Sequence, residues 1–527
     1  MKFITSLSKY RVLTAFLINI FLFSILLLVY TSLIHSQGDA YTLYILGGGF
    51  GNNPTHLLHF DHIYHPWITY LLKELFIIEP NVNWYTWLLL LLNLLGFTTI
   101  LTVIFEKQYN TRAFVFYILL FSLYGNLFLL YLSINHVVIL LTLASLSLIF
   151  PGAGKEKRGY AEYAAAFMLL ILAASLRIHL TIFIIVLLLP FVFFQSRKKT
   201  HFFVILALFA GTVFLLNLTQ KRYYIKNIPE WRKEEERRQN LYHFYNRSYL
   251  LDTTAAAWKT ERSMISNALV WDSGFLSNEK LSAIQNDGIM KPDIKNLKTP
   301  GVRLLKNNRI YFLSFLAVLA LYITRRMLLP LSVILIAVLL ITLSLIIYFK
   351  VPGYYFTGIC FSLSLFIYLL SNRVPGKSMT RIHYLAFFFF IYWGAILAYK
   401  NNLNNVLANK QFKQITGEIS HHKDNIFLVV DNKFILKNFY AFDVPKNYPL
   451  GNVLLFDHYH SFMYKEILNR YGITDMKELI TSERLLLWGH PPEDLLKYLE
   501  QAYAVRASFS EPLPEFKYEE VRRLIIK

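Results

Sequence analysis

The chain has 527 residues, of which 55% are hydrophobic, 17% aromatic and only 16% charged, and its mean hydropathy of +0.41 excludes a soluble globular protein. Its net charge of +20 does not mark a nucleic-acid binder, because the basic residues sit in short clusters between apolar runs and in two long loops, the pattern of membrane orientation and contact with anionic lipid. The one cysteine, Cys360, lies inside an apolar run, which leaves neither an intrachain disulfide nor a cysteine-based metal site.

The basic start MKFITSLSKYR leads into an apolar run from about Val12 to Leu33. That run is too long for a signal-peptide core and lacks a small-x-small cleavage site, so it is expected to be an uncleaved first helix that starts inside. Further spans are expected at about 84–105, 113–131, 134–150, 161–176, 178–194, 201–217, 309–324, 327–349, 352–370 and 383–399, about 11 helices in all. Lys and Arg then gather at one set of helix ends, at Lys2, Lys9, Arg11, Lys107, Arg112, Lys155, Lys157, Arg158, Arg197 to Lys199, Arg325, Arg326, Arg373, Lys377 and Arg381. The opposite short loops hold Arg177 and Lys350 alone, a strong positive-inside asymmetry. With that orientation, three polar pieces face out: a first loop at 34–83, a long loop at 218–307, and a C-terminal domain at 400–527. The two loops belong with the helices of 1–399 as one transmembrane domain.

The first loop carries the densest polar chemistry, GDAYTLYILGGGFGNNPTHLLHFDHIYHP. Tyr64, Trp67, Tyr70, Trp84, Tyr85 and Trp87 suit headgroup depth, and WITYLLKELFII after Pro66 reads as an amphipathic helix too short to span. The run GGGFG from Gly47 lacks the GK[ST] of a phosphate loop and reads as a turn. His56, His59, His62 and His65 recur every third residue, a spacing that drifts around a helix and cannot bring all four to one metal. His59 and His62 beside Asp61 leave a zinc pair open, with an aqueous cavity lining as the equal alternative. Asp39 stands just after the first helix, where a carboxylate must be hydrated, paired or used.

Beyond the first loop, Arg177 and His179 fall in a very short outer turn and His136 follows Asn135 in another. Lys73, Lys221 and Arg222 sit at headgroup depth; an arginine there either snorkels or meets a ligand phosphate. In the long loop, Arg247, Asp252 and Asp272 are polar residues among apolar ones, and either line a site or pin the loop's own core. The C-terminal stretch alternates NIFLVVD, NVLLFD, RLLLWG and VRRLIIK with helical MYKEILNRYG and PPEDLLKYLEQAY, a small α/β pattern. The run Asp457-His458-Tyr459-His460 reads as a surface loop after a strand.

A first helix starting inside, an acidic residue immediately after it in a long outer loop, some ten further helices and a soluble outer domain together resemble the GT-C class of integral-membrane glycosyltransferases. The resemblance implies a polyprenyl-phosphate sugar as donor and Asp39 as the catalytic acid residue of the first loop. Many members carry two adjacent acids; here Ala40 follows Asp39, and Asp61 is the nearest second candidate. Lys73, Arg177, His179, Lys221, Arg222 and Arg247 are the candidate phosphate-binding cations, with His59, His62, His136, Asp252 and Asp272 as candidate lining residues. The acceptor is a glycan, lipid or protein, the membrane lipid is a partner, and nucleic acid is not. No cofactor is required, no dedicated metal site is assigned, and a divalent cation is left open. A transporter or flippase, another membrane transferase, and a non-catalytic assembly protein are the competing readings. Transport would call for charged residues at mid-depth, whereas here polarity gathers at the outer helix ends.

Overall fold

The computed structural model describes residues 10–30, 33–35, 37–49, 51, 53–56, 64–149, 159–195, 199–228, 231–232, 235–237, 239–241, 258–266, 272, 274–288, 302, 304–322, 325–348, 353–371, 377–430, 440–448, 450–455, 467–518 and 520–527. Asp61, His59, His62, Arg247, Asp252 and the run at 457–460 lie outside the described residues.

The membrane part is built from α1 (Arg11–Val29), two shorter helices α2 (Gln37–Leu46) and α3 (Pro66–Ile78), and then α4 (Trp84–Lys107), α5 (Thr111–Leu130) and α6 (Ile134–Ile149). It continues with α7 (Tyr160–Gln195) and α8 (Lys199–Asn227), and, after the long loop's short helices α9 (Lys259–Ser266) and α10 (Asn278–Gly288), with α11 (Arg309–Tyr322), α12 (Arg325–Tyr348), α13 (Gly353–Leu370) and α14 (Lys377–His421). Among the described residues, six helices are long and apolar enough to cross a membrane, and Ile134–Ile149, Arg309–Tyr322 and Leu331–Leu340 are shorter apolar helices. The chain is a polytopic integral membrane protein. The expected pair at 161–176 and 178–194 is present as the two helical segments of α7, which meet at a kink at Arg177, whose φ of −158° and ψ of 95° leave the helical region.

Helix α6 forms the centre of the bundle, buried along its whole length between α4, α7 and α13. A predominantly apolar helix can be enclosed in this way only if its neighbours come close, and glycines allow it. A Cβ at Gly96 of α4 would stand 2.6 Å from Leu140 Cγ, and one at Gly358 of α13 would stand 2.7 Å from Ile139 Cδ1.

Helix α14 runs to His421, well past the expected end near 399. The reason is legible afterwards: Ala398, Asn405, Asn409, Phe412, Thr416 and Ile419 are buried at near-heptad intervals, so one face stays packed although the sequence turns polar. The sheet that follows has β3 (Ile426–Val429), β4 (Val453–Leu455), β5 (Leu485–Trp488), β6 (Ala507–Phe509) and β7 (Val521–Ile526) in the order β4-β3-β5-β7-β6, with the first three parallel and the last two antiparallel. α15 (Met476–Thr481), capped by Asp475 on Glu478 N at 2.9 Å, and α16 (Asp494–Tyr503) complete this small α/β domain. Strand β6 and helix α15 were not expected; both are too short to show a period.

The glycine run is the C-terminal cap of α2. Gly49 N donates to Tyr44 O at 2.6 Å, Gly47 N donates to Leu43 O at 2.9 Å, and Gly48 takes a φ of +77°, the left-handed cap that favours glycine. A Cβ at Gly49 would lie 2.0 Å from Cδ1 of the buried Tyr44 ring. Gly49→Ala is therefore expected to lower the thermal midpoint of the purified protein, by overpacking worth about 1–3 kcal/mol.

Candidate active site

Two very short strands, β1 (Ile34–His35) and β2 (Tyr131–Leu132), pair in parallel and join the first loop to the entrance of α6. Directly after β2, Ser133 Oγ accepts from Asn135 N at 3.2 Å, and the Ile134 amide is left at the helix N-terminus, where an anion is favoured. Asp39 fills that position. Its Oδ1 accepts from Ile134 N at 3.0 Å and from the Tyr85 hydroxyl, and the residue is 0% exposed. A buried carboxylate survives only with such donors, because its desolvation is otherwise uncompensated.

The Tyr85 hydroxyl has one proton, given to Asp39, so at 2.7 Å it accepts from Tyr64. Burial, and then the negative charge of Asp39, hold the Tyr64 phenol well above its ordinary pKa of 10, against the pull of its hydrogen bonds and of Arg177. Tyr64 is thus a neutral donor in a buried relay that starts on Asp39. Both tyrosines were expected in the aromatic belt and are instead fully buried. Trp67, Tyr70 and Trp87 are 42%, 52% and 51% exposed.

Arg177, at the break in α7, donates to the Asn135 side chain and stands over the Tyr354 ring with Cζ 5.9 Å from its centroid. The acid and the cation are therefore held by consecutive residues, Ile134 and Asn135. His136, next in line, is buried, stacked on Phe128 at 4.5 Å, with Nδ1 3.3 Å from Tyr131 O. His179 is exposed just beyond the break.

The C-terminal part of α8 is tied to the first loop by His56 Nε2 with Tyr223 Oη at 2.8 Å, His65 Nε2 with Thr219 Oγ1 at 3.0 Å, and Tyr224 Oη to Tyr64 O at 3.4 Å. Lys221 and Arg222 are exposed on that same turn. Lys73 pairs with its neighbour Glu74 at 3.1 Å and lies 5.6 Å from the Tyr70 centroid. Asp272 is occupied elsewhere: Tyr498 Oη at 2.8 Å, Tyr503 Oη at 2.9 Å, Gly274 N at 2.8 Å and Phe275 N at 3.0 Å bind its carboxylate, pinning the long loop to the C-terminal domain. Among the described residues, no three His, Cys, Asp or Glu side chains group as metal ligands.

His35, which the sequence did not single out, is buried beside this centre with Nε2 2.9 Å from Thr86 Oγ1. Burial pushes its pKa down to about 4, with Asp39 opposing the shift. Between about pH 6.5 and 4 the unfolded chain binds a proton there that the folded chain refuses, so stability is complete above that window and falls on acidification through it. The thermal midpoint is expected to drop over that window, with a shallower slope in His35→Gln; an unchanged slope would remove His35 from the account.

No family model and no curated protein matches the chain. Two solved structures align with it: the crystal structure of ArnT from Cupriavidus metallidurans in the apo state, at 10% identity and a TM-score of 0.43, and that of ArnT from the same organism bound to undecaprenyl phosphate, at 11% and 0.42. Each alignment covers 99% of this chain and 97% of the other. At that level of similarity, the chemistry of this chain rests on its own residues.

Proposed function

We propose that the chain is an integral-membrane glycosyltransferase that moves a sugar from a polyprenyl-phosphate carrier to an acceptor hydroxyl at the outer membrane surface. The observation that carries this reading is the buried Asp39 carboxylate at the start of α6, with the Arg177 guanidinium held at the adjacent residue. A base and a cation anchored on consecutive residues suit one displacement. Asp39 takes the proton of the acceptor hydroxyl, its oxygen attacks the anomeric carbon, and the bond from that carbon to the phosphate oxygen breaks. The leaving phosphate gathers charge that Arg177 meets, and Lys221 and Arg222 supply further positive charge at the mouth. The anomeric configuration inverts. The Tyr64–Tyr85 relay keeps Asp39 aligned, and Asp61 stands as the second candidate acid.

The test is transfer of radiolabelled sugar by purified protein in detergent, across a panel of polyprenyl-phosphate sugars, with and without EDTA. Transfer with inverted stereochemistry is expected, and the EDTA arm decides whether a divalent cation assists. No transfer with any donor, together with lipid movement in proteoliposomes, would replace this reading with transport.

A further inference from the structure

The segment Tyr440 to Asp443 of the C-terminal domain reaches into the first-loop layer. Tyr440 bridges Ile34 in antiparallel fashion, and Ala441 N donates to Leu33 O at 2.8 Å, so the segment adds an edge to the small β1–β2 pair. The Ala441 carbonyl accepts from Asn83 Nδ2 at 2.7 Å and from Thr86 Oγ1, and Asn83 Nδ2 also reaches Asp443 O at 2.8 Å. Phe442 closes the contact edge-on against Trp87, with centroids 5.8 Å apart. On its own side the segment is braced by Lys413 of α14, 3.6 Å from the Asp443 carboxylate, and by the Tyr448 hydroxyl.

These bonds converge on Tyr85 Oη and Ile134 N, which donate to Asp39. Asn83 and Thr86 flank Tyr85 in the first turn of α4, and Asn83 Oδ1 caps that turn by accepting from Thr86 N at 3.1 Å. Thr86 Oγ1 also holds His35, and the β1 strand that contains His35 pairs with β2, which ends one residue before the peptide of Ile134. Holding α4's first turn and β1 together therefore fixes both the Tyr85 hydroxyl and the Ile134 amide. Free of this anchor, each would turn with its own helix end, and helix ends fray.

We propose that the Tyr440–Asp443 strap is part of the catalytic centre, with Thr86 and Asn83 as positioning residues through which the C-terminal domain sets the geometry of Asp39. This rests on the transferase reading, and it assigns the outer domain a role in the chemical step rather than in acceptor capture alone. Small losses of alignment at a general base cost rate more than binding, so the effect belongs to kcat.

The experiment uses the full-length protein in detergent, with two readouts. Thr86→Val keeps the shape and removes the hydroxyl, Thr86→Ser keeps the hydroxyl, and Asn83→Asp keeps the helix cap while turning donors toward Ala441 and Asp443 into acceptors. Thr86→Val and Asn83→Asp are expected to raise deuterium uptake in the peptide spanning Tyr131 to His136, and to lower kcat by about 10- to 100-fold with KM changed less than about threefold. Thr86→Ser is expected to return both toward the parent values. Parent-like uptake in Thr86→Val and Asn83→Asp overturns the proposal, as does a loss confined to KM. Should Thr86→Val fail to fold, Asn83→Asp carries the test alone. Exchange is read without any donor, so a parent protein silent in the transfer assay would sink the transferase reading while the exchange result still decides whether the strap holds the Asp39 donors.

Discussion

Asp39→Asn is expected to lower the transfer rate by about 10²- to 10⁴-fold while leaving the protein folded. Asparagine has nearly the shape of aspartate, and its side-chain oxygen still accepts from Ile134 N and Tyr85 Oη, which donate to the carboxylate. What it lacks is basicity. The thermal midpoint should therefore move little, and the comparison separates a lost base from a lost fold. Transfer that survives in a folded Asp39→Asn protein would move the base to Asp61 or to a first-loop histidine.

Arg177→Ala is expected to cost about 10²- to 10³-fold in kcat/KM for the polyprenyl-phosphate donor, the scale of a lost cation at a developing negative charge. Arg177→Lys is expected to recover only part of this, since an ammonium restores charge without the planar fork. The alternative is that Arg177 merely snorkels to the interface and braces the bundle through Asn135 and Tyr354. That alternative has its own signature. Asn135→Ala would then resemble Arg177→Ala, both lowering the thermal midpoint with rates within about threefold of the parent, because a lost side-chain hydrogen bond is a stability effect of about 1 kcal/mol.

Asp39 and Arg177 come from sequence positions far apart, yet they are hydrogen-bonded to consecutive residues of one helix start. Burying a carboxylate there costs a scaffold desolvation that apolar packing would avoid.

Much of the architecture was legible in the chain. Spans of about 20 apolar residues declare themselves because the bilayer demands that length, and Arg177 declared the break in α7 because a lone charge interrupts an apolar run. The amphipathic α3 followed from Pro66 and the placement of its apolar residues, and Asp39 from a lone acid beside a membrane helix. The C-terminal α/β pattern followed from strands of four or more apolar residues.

The rest needed tertiary contacts. Tyr64 and Tyr85 read as belt aromatics because composition cannot tell a phenol at the headgroups from one buried against a carboxylate; burial alone separates them, and burial belongs to the packed bundle. Two-residue strands carry no period, so β1, β2 and the strap at Tyr440 exist only through their pairing. The reach of α14 to His421 was hidden because its buried face includes Asn405, Asn409 and Thr416, polar residues that count as core only once neighbours cover them. The sequence by itself thus determined which segments are long and apolar enough to enter a membrane and singled out the acid that follows the first of them, because both follow from the local cost of polar groups in lipid. Which groups surround that acid was decided only by the tertiary structure, because Tyr85 and Ile134 reach it from two separate helices and the segment that braces them lies some 400 residues farther along the chain.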